Sequence, residues 1–191
     1  MLGKDIIVIG ASAGGVEALK VLVGELSATL PASIFIVMHT SPYSPSILPE
    51  ILSRSGALPA SHAVDGERIH RSNIYVAPPN HHLLLEPEIV RVTQGPKENH
   101  ARPAIDPLFR SAALAYGSRV IGVILTGGLD DGSSGLWTVK KLGGIAIVQD
   151  PQDAVIPSMP QSAMRQVKVD YCFPIRKIAT LLVQLTSRSI W

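Results

Sequence analysis

The stretch that decides the fold is "DIIVIGASAGGVEALKVL", residues 5–22. Ile6, Ile7, Val8 and Ile9 are β-branched or aliphatic in an unbroken run and read as a buried strand. Residues 16–22 read as the start of a helix, and a tight glycine-rich turn joins the two. Such a turn either cradles a nucleotide or lifts the serine at its centre above a sheet edge.

The nucleotide reading fails twice. The fingerprint G-x-G-x-x-G, laid over Gly10, asks for glycine at position 12 and at Gly15. Position 12 is Ser12, whose side chain stands where a pyrophosphate must come close. The fingerprint also wants an acidic residue after the second strand, to hold the ribose hydroxyls. Residues 26–49 contain no Asp or Glu, and the second strand ends in His39.

The same turn matches G-x-S-x-G as Gly10-Ala11-Ser12-Ala13-Gly14, the pattern of a sharp strand-to-helix turn that presents a serine hydroxyl. Small residues are common in any such turn, so a serine that merely caps the helix is the better reading of Ser12 alone. It has company. In open α/β sheets the working residues gather beyond the carboxyl ends of strands. Ser12 follows the first strand, His39 follows "IFIVM", and Asp130-Asp131 follow "VIGVILTGGL". These are a nucleophile, a base and an acid, the set that acyl transfer requires. Each has a plainer reading: His39 as a satisfied core histidine, and Asp131 as the N-cap of the next helix. Three at one edge tilt the balance toward catalysis. Their order, Ser-His-Asp, differs from the Ser-Asp/Glu-His of α/β-hydrolases.

Strand-like runs occur at residues 6–9, 34–38, 74–77, 120–125, 145–148 and 169–173. Helical patterns lie at 16–30, 46–55, 107–116, 133–142, 160–166 and 174–185, the third capped by Asp106 with Pro107 in its first turn. This alternation predicts an α/β fold with a doubly wound, mostly parallel sheet in three layers, Rossmann-like. "LLLEPEIVRVT", residues 83–93, reads instead as an inserted antiparallel hairpin.

The 191 residues, 46% hydrophobic and 17% charged, read as a single domain over 1–191. The absence of an 18-residue uncharged apolar run argues against membrane insertion, and nothing resembles a signal peptide. The one cysteine, Cys172, fits a cytoplasmic, reducing compartment and reads as an inert buried thiol. Seventeen Lys and Arg against 15 Asp and Glu, without a basic block, argue against a nucleic-acid partner.

The motifs taken together resemble the catalytic domain of CheB-type protein-glutamate methylesterases. The resemblance runs nearly end to end, through "VIGASAGG" (8–15), "VMH" (37–39), "DGERI" (65–69), "IYVAPPNHHL" (74–83), "RPAIDPLFRSAA" (102–113), "VILTGGLDDGSSGL" (123–136), "AIVQDP" (146–151) and "SMPQSA" (158–163). It implies a serine hydrolase that removes methyl esters from γ-glutamyl side chains of chemoreceptors, giving glutamate and methanol, with glutamine deamidation as a related activity. It implies Ser12 as nucleophile, His39 as base and Asp131 as the acid, with Ala13 and the Gly127-Gly128 loop supplying oxyanion donors. It places Met159 near the site and implies no metal or other cofactor. The expected partners are methylated chemoreceptor cytoplasmic domains and, for regulation, a separate receiver or methyltransferase protein. Members of the family also carry a receiver domain ahead of the catalytic one, and this sequence opens directly on the first catalytic strand. Position 13 is Ala where some members have Thr. The segment "TSPYSPSILPEILSRSG" after His39 departs from the chemotaxis form and is expected to shape the substrate cleft. The competing reading is a non-catalytic chemosensory scaffold of the same fold.

Two further features have more than one reading. Arg102 either presents its guanidinium to a carboxylate of the substrate or product, or pairs structurally with Asp106. His81-His82 is a poor metal pair, because neighbours on a strand point to opposite faces, and reads as surface or cleft rim.

Overall fold

The computed structural model describes residues 3–41 and 45–187. Seven parallel strands form one sheet in the order β3-β4-β2-β1-β7-β8-β9. These are β1 (Ile6–Ala11), β2 (Ser33–Met38), β3 (Ala60–His62), β4 (Ile74–Val76), β7 (Val120–Ile124), β8 (Ile145–Gln149) and β9 (Tyr171–Phe173). Between them in sequence lies the antiparallel hairpin of β5 (His82–Glu86) and β6 (Ile89–Thr93). Helices α1 (Gly15–Gly24), α2 (Leu48–Ser55), α3 (Ile105–Tyr116), α4 (Ser133–Lys141), α5 (Ser158–Gln166) and α6 (Ile175–Ser187) pack on the sheet.

The continuous apolar strands follow from a sheet covered on both faces. Along β1, Ile7 and Ile9 enter one core with the apolar residues of α1, α2 and α6. Ile6 and Val8 enter the other, with α3, α4, α5 and the hairpin's Leu83, Leu85 and Val90. The expected α/β doubly wound architecture with an inserted hairpin is the one observed.

Three details differ from the sequence reading. β3 was missed because "ASH" is short, and its residues are half-buried or exposed at the sheet edge. α1 stops at Gly24 rather than near residue 30. There the chain makes a turn, in which the Ser27 hydroxyl accepts the Thr29 N–H and the Ser27 carbonyl accepts the Leu30 N–H. Leu26 and Leu30 are buried all the same, so their helical spacing arises from a turn. α3 starts at Ile105, and Asp106 does not cap it.

β1 lies at the switch point of the winding. The chain builds outward from it through β2, then returns on its other side through β7. Crevices in open α/β sheets form at such reversals, beyond the strand carboxyl ends. Phe109 fastens α3 beneath this crevice. It is fully buried, close to both Gly122 of β7 and Gly135 of α4. Phe109→Ala is expected to lower unfolding free energy by about 3–5 kcal/mol in urea titration. A loss below about 1 kcal/mol would mean that α3 is not held by this contact.

Candidate active site

The hydrogen-bond ladder continues past the ends of the central strands and sets three loops in register. Ser12 N–H donates to the Thr126 carbonyl at 3.0 Å, His39 N–H to the Ala11 carbonyl at 3.1 Å, and Leu125 N–H to the Gly10 carbonyl at 2.9 Å. Ser12 therefore sits between the loop after β2 and the loop after β7. Gly14, with φ at +79°, turns the chain directly into α1.

Ser12, His39 and Asp131 meet there. Ser12 Oγ lies 3.2 Å from His39 Nδ1, and His39 Nε2 lies 2.7 Å from Asp131 Oδ2. With the Nε2 proton donated to the carboxylate, Nδ1 carries the lone pair that faces the serine hydroxyl. Asp131 is 2% exposed and accepts four hydrogen bonds. Oδ2 takes His39 Nε2 and the Ile105 N–H (2.7 Å); Oδ1 takes the Asp106 N–H (3.1 Å) and Asn99 Nδ2 (2.7 Å). The carboxylate thus sits on the amino terminus of α3, where free N–H groups and the helix dipole favour negative charge. Burial pushes its pKa up, but the His39 bond and the Ile105 and Asp106 N–H groups outweigh that and hold it below the ordinary aspartate value. Asp131 does not cap α4, whose N-cap is Gly132. Asp130, next to it, is exposed at the cleft mouth.

The cleft has a volume of about 350 Å³, and Ser12, Ala13, His39, Gly128, Leu129 and Asp130 are among the residues lining it. Among the described residues, no backbone oxygen accepts the Ala13 or Gly128 N–H. Both are free to meet an oxyanion. Gly127 is different. Its N–H donates to the Ile156 carbonyl at 3.0 Å, so it is no oxyanion donor. A Cβ at Gly127 would lie 2.7 Å from the Ser12 Cβ and 2.8 Å from Met159 Cε, so glycine is what lets this loop pass over the serine. Met159 is fully buried beneath it and donates its N–H to the Gly127 carbonyl, a supporting position and not a substrate contact.

Arg102 forms neither expected pair. Its Nε and Nη2 donate to Asn80 Oδ1 at 3.0 and 2.7 Å, and its Nη1 to the Gly95 carbonyl at 2.9 Å. The guanidinium ties the segments flanking the hairpin together, outside the cleft lining. His82, read as surface or rim, is 4% exposed: Nδ1 accepts the Ala104 N–H and Nε2 faces the Pro96 carbonyl. Cys172 is half-buried, and burial pushes its thiol pKa up. Among the described residues no three His, Cys, Asp or Glu side chains are grouped to hold a metal ion. No helix among them is long and apolar enough to cross a membrane. The cleft-shaping role expected of the segment after His39 rests partly on residues 42–44, which lie outside the described residues.

Asn99 was missed. Its amide bridges two carboxylates, Asp131 Oδ1 at 2.7 Å and Asp106 Oδ2 at 2.8 Å. Asp106, buried and also accepting the Gly135 N–H, has its pKa raised by that burial. The only sequence signal was an Asn in a segment, "KENHARP", without periodicity. Asn tolerates the left-handed backbone that residue 99 adopts, with φ at +49°.

A serine, an imidazole and a buried carboxylate in series at the carboxyl edge of a doubly wound sheet are the parts of a serine hydrolase. The profile of the CheB methylesterase family matches residues 7–182. A Leptospira interrogans protein, provisionally named a protein-glutamate methylesterase/protein-glutamine glutaminase, is 40% identical over 190 residues, covering 99% of this chain and 98% of its own. A Methanosarcina acetivorans protein-glutamate methylesterase/protein-glutamine glutaminase is 36% identical, but there the match spans 95% of this chain and only 53% of the relative. The crystal structure of the Thermotoga maritima CheB methylesterase catalytic domain superposes with a TM-score of 0.92 at 35% identity, covering 97% of this chain and all of that one. The chain belongs to the CheB methylesterase family.

The four donors around Asp131 generate a prediction. Asp131→Asn turns an NH₂ group toward donors and is expected to lower stability by on the order of 3 kcal/mol near neutral pH. Asp130→Asn should stay within about 0.5 kcal/mol of wild type. Because the folded pKa of Asp131 is depressed, its contribution is fully present above the ordinary value of 3.8 and is lost as pH falls below it. The gap between wild type and Asp131→Asn, followed by urea unfolding, should therefore narrow progressively as pH falls below 3.8. A gap independent of pH would contradict an ionised Asp131.

Proposed function

We propose that this protein is a serine methylesterase that hydrolyses γ-glutamyl methyl esters on chemoreceptor-type proteins, releasing methanol and leaving a glutamate side chain. The observation that carries this reading is the Ser12–His39–Asp131 chain of contacts, 3.2 and 2.7 Å long, at the sheet's switch point. The names of the relatives give the substrate class, and the matching glutaminase name extends the chemistry to glutamine side chains.

In this mechanism His39 Nδ1 accepts the Ser12 proton as Oγ attacks the ester carbonyl. Negative charge develops on the carbonyl oxygen, where the Ala13 and Gly128 N–H groups stabilise it. His39 then returns the proton to the departing methoxide, and methanol leaves an acyl-serine. Water, deprotonated by the same nitrogen, attacks the acyl group. The carboxylic acid product is released and Ser12 is restored. With glutamine the leaving group is ammonia. Asp131 keeps the Nε2 proton in place and stabilises the imidazolium formed in each half-reaction. Asn99 acts through Asp131 as a positioning residue. The non-catalytic scaffold reading is disfavoured, because it leaves these buried, mutually oriented groups without a use. Methylated receptor cytoplasmic domains are the partner that the relatives' names support, and the cytoplasm is the compartment that goes with such a partner.

Methanol release from a methyl-esterified receptor cytoplasmic fragment tests the proposal. Wild type should release methanol, and Ser12→Ala should lower turnover at least about a thousandfold while unfolding at the same urea concentration. Equal rates in the two proteins would remove the mechanism.

A further inference from the structure

Leu129 is costly to the folded chain in two ways. Its φ is +65°, in the left-handed region that disfavours side chains with a Cβ. Its side chain is also 74% exposed, so folding does not repay it with burial. Glycine would serve the backbone better, and a polar residue would serve the surface better. What sets this leucine apart is its place: it lines the cleft together with Ser12 and His39.

A second exposed apolar side chain stands by the same serine turn. Val155, 70% exposed, crowds Gly14, where an added Cβ would lie 2.7 Å from the valine Cβ. The two apolar residues belong to loops that are stitched together. Gly127 N–H donates to the Ile156 carbonyl, and Ile156 N–H donates to Thr126 Oγ1, which in turn donates to the Ala13 carbonyl. Leu129 thus lines the cleft, while Val155 stands outside that lining on a loop bonded to the one that carries Leu129. The cleft of about 350 Å³ admits a side chain. The polypeptide that bears that side chain must stay outside and meet the rim.

Resting on the methylesterase reading, we infer that Leu129 is a specificity-determining residue that binds the protein substrate, packing against an apolar side chain beside the esterified glutamyl group. Leu129 reads the surface around the ester and not the ester itself, so it separates protein substrates from small free esters.

The test uses Ser12→Ala protein, which binds without turnover, titrated with a methyl-esterified receptor cytoplasmic fragment. Adding Leu129→Gly should weaken binding at least tenfold. It should leave Tm unchanged or raised, because glycine suits the left-handed backbone. In the active enzyme, Leu129→Gly should lower kcat/KM on the fragment at least tenfold through KM. The loss should be smaller on the γ-methyl ester of N-acetylglutamate amide. Equal affinity of the Ser12→Ala protein with and without Leu129→Gly overturns the inference, as does an equal loss on protein and small ester. If the Ser12→Ala protein with Leu129 intact fails to bind the esterified fragment, the methylesterase reading itself fails, and the inference falls with it.

Discussion

The seating of Asp131 on the amino terminus of α3 is the constraint on which the rest of the site depends. One carboxylate takes the Ile105 and Asp106 N–H groups, the Asn99 amide and His39 Nε2. Through these bonds the loop after β7, the helix α3 and the loop after β2 become one unit. The helix gains a partner for N–H groups that its own turns leave free. The imidazole gains a fixed ring orientation. A buried, isolated carboxylate would take up a proton; this one is kept ionised by its donors.

Around that anchor the fold divides its tasks. The parallel ladder sets the heights of Ser12 and His39, since Ala11, Ser12 and His39 continue the register of β1, β2 and β7. The loop from Gly127 to Asp131 then carries three functions in five residues. Gly127 lets the chain pass over the serine, Gly128 leaves an N–H free, and Asp131 faces the imidazole. Asp106 is drawn in as well. It was read as the cap of α3, yet it instead accepts the Gly135 N–H and the Asn99 amide, linking α3 to α4 behind the site.

Much of this was legible in the sequence because periodicity and chain order carry it. Runs of β-branched residues pointed to the buried strands, and the residues that follow three of them pointed to Ser12, His39 and the Asp130-Asp131 pair, of which the family resemblance singled out Asp131. What the sequence concealed depends on contacts between loops. Nothing in "TGG" tells that Gly127 donates its N–H to Ile156 while Gly128 does not. Arg102 stood open between an anion ligand and a pair with Asp106, but its donors are taken by Asn80 and the Gly95 carbonyl, on the two sides of the hairpin. Asn99 sits in an irregular segment and acquires its meaning only where two carboxylates converge on it. β3 is too short and too polar for periodicity to register it.

The proposed chemistry turns on the orientation of the His39 ring, which ¹⁵N–¹H NMR of the imidazole nitrogens reads in the ligand-free protein. The expected result is a neutral ring protonated at Nε2, toward Asp131, with an unprotonated Nδ1 toward Ser12. A ring protonated at Nδ1 would contradict it, because Asp131 would then lack the proton it is placed to accept and Ser12 would face a donor in place of a base.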